Sequence, residues 1–137
     1  MPERSKSKWR SLAVSDGFRS FVLDQLSELD EVVPRSMFGG VGLYSSGLFF
    51  GILARDRLYL KVDDQNRAAY EEAGEKPFKP YPGRPGSMNY YAVPLAVLES
   101  PNELVAWARE ACNAAARSAS RPRRARTRAK ARPSRRT

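Results

Sequence analysis

The 137-residue chain contains no histidine. That removes the commonest general base at neutral pH and the commonest metal ligand. It has one cysteine, Cys112, so an internal disulfide is excluded and a reducing compartment is the natural setting. Long hydrophobic runs are missing as well, none approaching the ~20 residues that a membrane helix needs. The first ten residues carry charge but no apolar core of the kind a secretory signal requires. These absences point to a soluble, cytoplasmic protein with no membrane contact. Charge is unevenly placed along the chain. Residues 117–137 hold ten Arg or Lys and no Asp or Glu, leaving 14 basic and 15 acidic residues over 1–116. The net charge of +9 therefore belongs to the C-terminal segment, and the rest of the chain is close to neutral.

What is present is strongest between Arg35 and Val62. Three apolar runs, residues 35–44, 47–54 and 58–62, are separated by Ser45-Ser46-Gly47 and by Arg55-Asp56-Arg57. Short β-rich runs broken by turn residues read as an antiparallel meander. Leu58, Leu60 and Val62 fall on one face of the last run, Tyr59 and Lys61 on the other. The middle run is apolar on both faces, which predicts the central strand. Gly39, Gly40, Gly42 and Gly51 punctuate the meander, where glycine marks a bulge or a close backbone approach.

Helices flank this region. Ser15 or Asp16 can cap a helix running to about Glu31, with Phe18, Val22, Leu26 and Leu29 at helical spacing. Pro34 then blocks its continuation. Asp63-Asp64 supplies a cap for a second helix from Gln65 to Ala73, closed by Gly74. A metal pair there lacks further ligands. A short extended piece at residues 78–81 suits a sheet edge, 82–86 a loop, and 88–93 a last strand. Ser100-Pro101 with Glu103 signals a third helix, whose apolar face carries Leu104, Trp107, Ala108, Ala111 and Cys112. The expectation is an α+β fold: about five antiparallel strands and three helices in the order α-β-β-β-α-β-β-α. Residues 1–14 read as a flexible basic lead on which Leu12 and Val14 rest against the body, 15–116 as one domain, and 117–137 as a disordered arginine-rich tail.

Catalysis finds little support in these residues. No Ser–base or Cys–base pair is visible, and Gly39-Gly-Val-Gly42 lacks the Lys-Ser/Thr of a phosphate-binding loop. Cys112 sits on an apolar stripe with no histidine to activate it. No enzyme activity, metal or cofactor is expected.

The pattern Met37-Phe38-Gly39-Gly40-Val41-Gly42-Leu43-Tyr44, then Phe50-Gly51, then Leu58-Tyr59-Leu60-Lys61-Val62-Asp63, resembles the N-terminal domain of the TfoX/Sxy family. Gly74, Phe78, Tyr81, Met88, Tyr90-Tyr91, Pro94, Leu104 and Trp107 continue the match, which covers roughly 16–116. The resemblance implies an α+β domain similar to secretion-chaperone folds and a link to regulation of DNA-uptake competence. Two-domain members carry a helical domain where this chain has its basic tail. The motif residues to which the resemblance points, for structure or interaction, are Met37, Phe38, Gly39, Gly40, Gly42, Tyr44, Gly51, Tyr59, Lys61, Tyr81, Tyr90, Tyr91 and Trp107. Aromatics more plentiful than one small sheet can bury favour a protein partner or self-association, such as a homodimer, at a sheet face or edge. Arg121, Arg123, Arg124, Arg126, Arg128, Lys130, Arg132, Arg135 and Arg136 form a polybasic arm suited to sequence-independent contact with nucleic acid.

Overall fold

The computed structural model describes residues 12–37, 39–79 and 89–120. Along the chain lie α1 (Asp16–Gln25), β1 (Val32–Met37), β2 (Gly40–Ser45), β3 (Leu48–Ala54), β4 (Arg57–Lys61), α2 (Arg67–Glu72), β5 (Tyr90–Ala92), α3 (Leu95–Leu98) and α4 (Pro101–Ser120). The five strands pair antiparallel in the order β1-β2-β3-β4-β5, with β3 central as its two-sided apolarity predicts. Two-residue turns fix the meander. Ser45 pairs with Leu48 and Ala54 with Arg57. The residues between them, Ser46-Gly47 and Arg55-Asp56, all have positive φ, from 48 to 84°. Turns of that kind match the twist of the strands they join.

The helices lie on one side of the sheet. Val22, Leu43, Phe50, Leu53, Leu60, Val62, Tyr70 and Leu104 form the main core there. A bulge shapes that core: Leu43 pairs with Gly51 and Tyr44 with Phe49, so Phe50 has no partner on β2. The extra residue turns Phe50 into the helix side, where it is fully buried, while Phe49 goes to the opposite face. Gly51 leaves room for it, since a Cβ there would stand 3.2 Å from Tyr59 O and 3.3 Å from Leu60 Cδ2.

Several boundaries differ from the sequence reading. The first helix stops at Gln25 rather than near Glu31; Leu26 is its C-cap, and Glu31, at φ 42°, turns the chain into β1. Residues 35–44 are not one strand but two, joined at Gly39, so four strands precede α2. Pro34 lies inside β1, where it was expected only to end a helix. Ser46 N–H donates to Glu31 O at 3.2 Å, which fixes the alternation of the β1–β2 ladder. Val33, Arg35 and Met37 therefore turn their peptide groups towards β2 and Pro34 turns away, so its missing N–H costs that ladder nothing.

Later in the chain, the described part of the expected edge piece, up to residue 79, forms no regular strand. It is an isolated bridge, Pro77 to Tyr91, with Phe78 N–H donating to Tyr90 O at 2.7 Å. Ala92 N–H donates to Lys76 O at 3.3 Å on the other side of that bridge, so Pro77 sits at a position that needs no donor. The last strand is confined to Tyr90–Ala92. A short α3 follows Pro94, unforeseen in the sequence reading. The last helix continues through Arg117–Ser120, four residues into the expected tail. Leu12 is buried and Val14 packs on the core, as the reading of the lead predicts. The rest of the lead, Phe38, the 82–86 loop, Tyr81, Met88 and Arg121 to Arg136 lie outside the described residues.

Candidate functional site

The sheet face away from the helices divides into two halves. At one end Leu12 and Phe78 lie over Ile52, Ala54, Tyr59 and Ala92. Arg55 ties that strap down, its Nη2 donating to Lys79 O at 2.9 Å while its guanidinium sits 5.8 Å from the Phe78 ring centre. Over the other half no described element packs. Period-2 alternation places Val33, Arg35 and Met37 of β1 there, with Gly42 and Tyr44 of β2. The bulge adds Phe49.

An aromatic strip crosses this half. Tyr44 and Phe49 stack with centroids 5.0 Å apart and planes 19° from parallel. Phe49 and Tyr90 follow at 5.4 Å and 41°. Tyr90 O–H donates to Phe49 O at 3.4 Å, and burial raises its phenol pKa well above the usual value. A cation closes each end: the Arg35 guanidinium carbon is 5.6 Å from the Tyr44 ring centre, and Lys61 Nζ is 5.2 Å from that of Tyr90. Val33 is half exposed at 50%, and Tyr44, Phe49 and Met37 are partly exposed. Gly42 keeps the strip low, because a Cβ there would lie 2.6 Å from Met37 Cε and 3.1 Å from Phe49 Cε1.

Of the motif residues named from sequence, Met37, Gly42, Tyr44, Lys61 and Tyr90 meet on this strip. Tyr59 shares the face but lies under Phe78, 4.6 Å between ring centres. Gly39 is in the first turn with φ 86°. Gly40 is a packing position, where a Cβ would come within 2.6 Å of Leu53 O. Gly51, Tyr91 and Trp107 belong to the helix side. There Tyr70 meets Trp107 edge-on at 4.7 Å and Tyr91 at 5.8 Å. Phe38 and Tyr81 are outside the described residues. Arg35 was not singled out from the sequence, although the alternation Val33, Arg35, Met37 carried the signal.

A second feature sits where β4 runs into α2. Asp63 N–H donates to Asn66 Oδ1 at 2.8 Å, Asp63 Oδ1 accepts Gln65 N–H at 2.9 Å, and Asn66 Nδ2 donates to Lys61 O at 3.1 Å. Regular helix begins only at Arg67, two residues after the expected start. Arg117, in the last turns of α4, clamps this junction: its Nε–H donates to Asp63 Oδ2 at 2.7 Å and its Nη2 to Oδ1 at 3.0 Å. That guanidinium holds the Asp63 carboxyl below its ordinary value, against partial burial. A polar cleft of about 330 Å³ opens beside the pair, between Lys61, Gln65, Arg67 and Asn89. A groove of about 320 Å³ runs between α2 and α4 past Ala69, Tyr70, Trp107 and Glu110. The Tyr70 hydroxyl is buried with no hydrogen-bond partner among the described residues.

Reactive groups do not converge in these places. Cys112 is half-buried, and burial pushes its thiol up, with the Ser45 hydroxyl and Arg109 pulling the other way. Among the described residues, no three His, Cys, Asp or Glu side chains are placed to hold a metal ion. No described helix is long and apolar enough to cross a membrane.

An open five-stranded meander, helices on one face and a cation-capped aromatic strip on the other, defines a small α+β module. The family model described as the TfoX N-terminal domain matches residues 24–115, and the chain belongs to that family. Over 87 residues the chain is 33% identical to the protein named DNA transformation protein TfoX1 of Aliivibrio fischeri (strain ATCC 700601 / ES114). The match takes in 63% of this chain and 42% of that protein, so the chain spans less than half the length of the curated relative it matches.

Proposed function

We propose that this chain is a non-catalytic regulatory module that works by docking a protein partner, in the control of DNA uptake. The observation that carries the docking reading is the stacked Tyr44–Phe49 pair, apolar and partly exposed, backed by the buried Tyr90 on the half of the sheet face over which no described element packs. Aromatic and arginine side chains are the residue types that anchor protein interfaces. The link to DNA uptake rests on the family and on the name of the Aliivibrio relative. The test is genetic. Removing the chain from its own host should lower transformation frequency, and the wild-type chain should restore it. Tyr44→Ala/Phe49→Ala, expressed at the wild-type level, should not. Unchanged transformation on removal would refute the uptake assignment, and full restoration by the double variant would refute docking at the strip.

The arginine-rich segment adds a second activity to this reading. Ten basic residues without an acid over 117–137 suit phosphate contact by counterion release, without sequence readout. DNA retention by the full chain, compared across a salt series with that of a chain ending at Ser120, should fall sharply in the shorter form. Equal retention would refute the tail's part.

A further inference from the structure

We infer that the partner of the uncovered half-face is an acidic polypeptide segment, its carboxylates paired with Arg35 at one end and Lys61 at the other and its apolar side chains against Tyr44 and Phe49. This rests on the docking reading and adds the chemistry of the occupant. The near-neutral body conceals an asymmetry of charge. The five strands contain three charged residues, Arg35, Arg57 and Lys61, all basic and all on the face away from the helices. The carboxylates of the body sit on helices and turns, among them Asp24, Glu71, Glu72, Glu103 and Glu110.

The cations at the two ends of the strip have no ion-pair partner among the described residues. The ion pairs there are Arg67–Asp64 and Arg117–Asp63. Arg35 and Lys61 rest instead over Tyr44 and Tyr90, held at the ends of an apolar strip where an incoming carboxylate meets them. Such an arrangement complements a segment whose acids flank an apolar centre.

Ring orientation selects polypeptide over nucleic acid. Proteins that hold single strands offer flat aromatic faces on which bases stack. Here Tyr44 and Phe49 turn their faces to one another, and Arg35 and Lys61 lie over the outer rings. The strip thus presents ring edges, whose hydrogens are electropositive and favour carboxylates over π-faces.

Sheet edges are poorer sites than the face. Beyond β5 the edge is occupied by Pro77 and Phe78. At β1 Pro34 stands in the outward row and removes the donor that an added strand needs.

The test is an NMR titration of the full chain with three probes. One is a synthetic peptide of alternating Glu and Leu with Asp at both ends, one is its counterpart with Gln and Asn for the acids, and one is an oligothymidylate. The acidic peptide should move the amide signals of Arg35, Tyr44, Phe49 and Lys61 saturably, and the neutral peptide should not. Arg35→Glu/Lys61→Glu, with the remaining spectrum dispersed as in the wild type, should weaken the acidic peptide by about tenfold or more. Equal shifts with both peptides would overturn the acidic requirement and leave the docking reading standing. Shifts confined to residues 117–137 would overturn both. Stronger shifts of the strip with oligothymidylate would reassign the face to nucleic acid and overturn the inference.

Discussion

Phe49 and Phe50 are neighbours in the chain and face opposite ways. Phe50 is fully buried beneath the helices, and Phe49 is partly exposed in the aromatic strip. One unpaired residue in the β2–β3 ladder separates them. The contrast extends to the whole sheet. On the helix side, Leu, Val and aromatic side chains pack against α1, α3 and α4, and no charged strand residue is found there. On the other side, half the surface is strapped by Leu12 and Phe78, and half carries aromatics with cations at their ends. The first side holds the fold together. The second is the face on which the proposed docking would take place.

The sharpest way to break this comparison is to truncate each phenylalanine in turn. Phe50→Ala should lower unfolding free energy by about 3–5 kcal/mol, because it leaves a cavity in a closed core. Phe49→Ala should cost about 1–3 kcal/mol, the size of the two aromatic pairs it removes, with Tyr44 and with Tyr90. Urea unfolding of the two variants decides it, and similar costs would erase the distinction between faces.

Glycines provide a second contrast. A Cβ at Gly40 meets the backbone oxygen of Leu53 at 2.6 Å, which cannot move without disturbing β3. Gly40→Ala should destabilise by about 1–3 kcal/mol. A Cβ at Gly42 meets the flexible end of Met37 instead, so Gly42→Ala should cost less in stability and alter the strip. Denaturant midpoints should separate the pair in that order.

The helix side contains one imperfection. Tyr70 buries a hydroxyl with no partner among the described residues, and burial raises its pKa. Tyr70→Phe should therefore raise stability by about 1 kcal/mol, since desolvating an unpaired hydroxyl is unfavourable. A thermal melt showing a loss would mean that the hydroxyl has a partner in solution.

The smallest effect concerns pH. Arg117 lowers the Asp63 pKa on folding below the ordinary 3.8. The clamp's contribution is then present above that value and is lost as pH falls through the folded pKa. Asp63→Asn should flatten the acid limb of the stability profile below about pH 4 and loosen the last turn of α4. Identical acid limbs for wild type and variant would refute the clamp.

Much of this was legible in the sequence because local rules governed it. Alternation in Leu58 to Val62 gave the two faces of β4, and Ser45-Ser46-Gly47 and Arg55-Asp56-Arg57 gave the turns. What escaped depended on partners distant in the chain. The outward N of Pro34 follows from its register on β2, so no local rule separates a strand proline from a helix stop there. Arg117 looked like the start of a basic tail, since Asp63, which holds it, is 54 positions away. The strip was half visible. Its tyrosines and Phe49 stood out among the aromatics, whereas the seat of Phe49 beside Tyr44 depends on the bulge and the place of Arg35 at the strip's end on its register with Gly42.

Tyr44→Ala/Phe49→Ala, followed in parallel by thermal melting and by transformation frequency in the native host, tests the division between the faces most directly. If the faces are separate, the melting temperature falls by only about 4–8 °C per kcal/mol of lost ring stacking, while transformation drops to the level of the deletion. A variant that retains full transformation despite that lowered melting temperature would contradict the account.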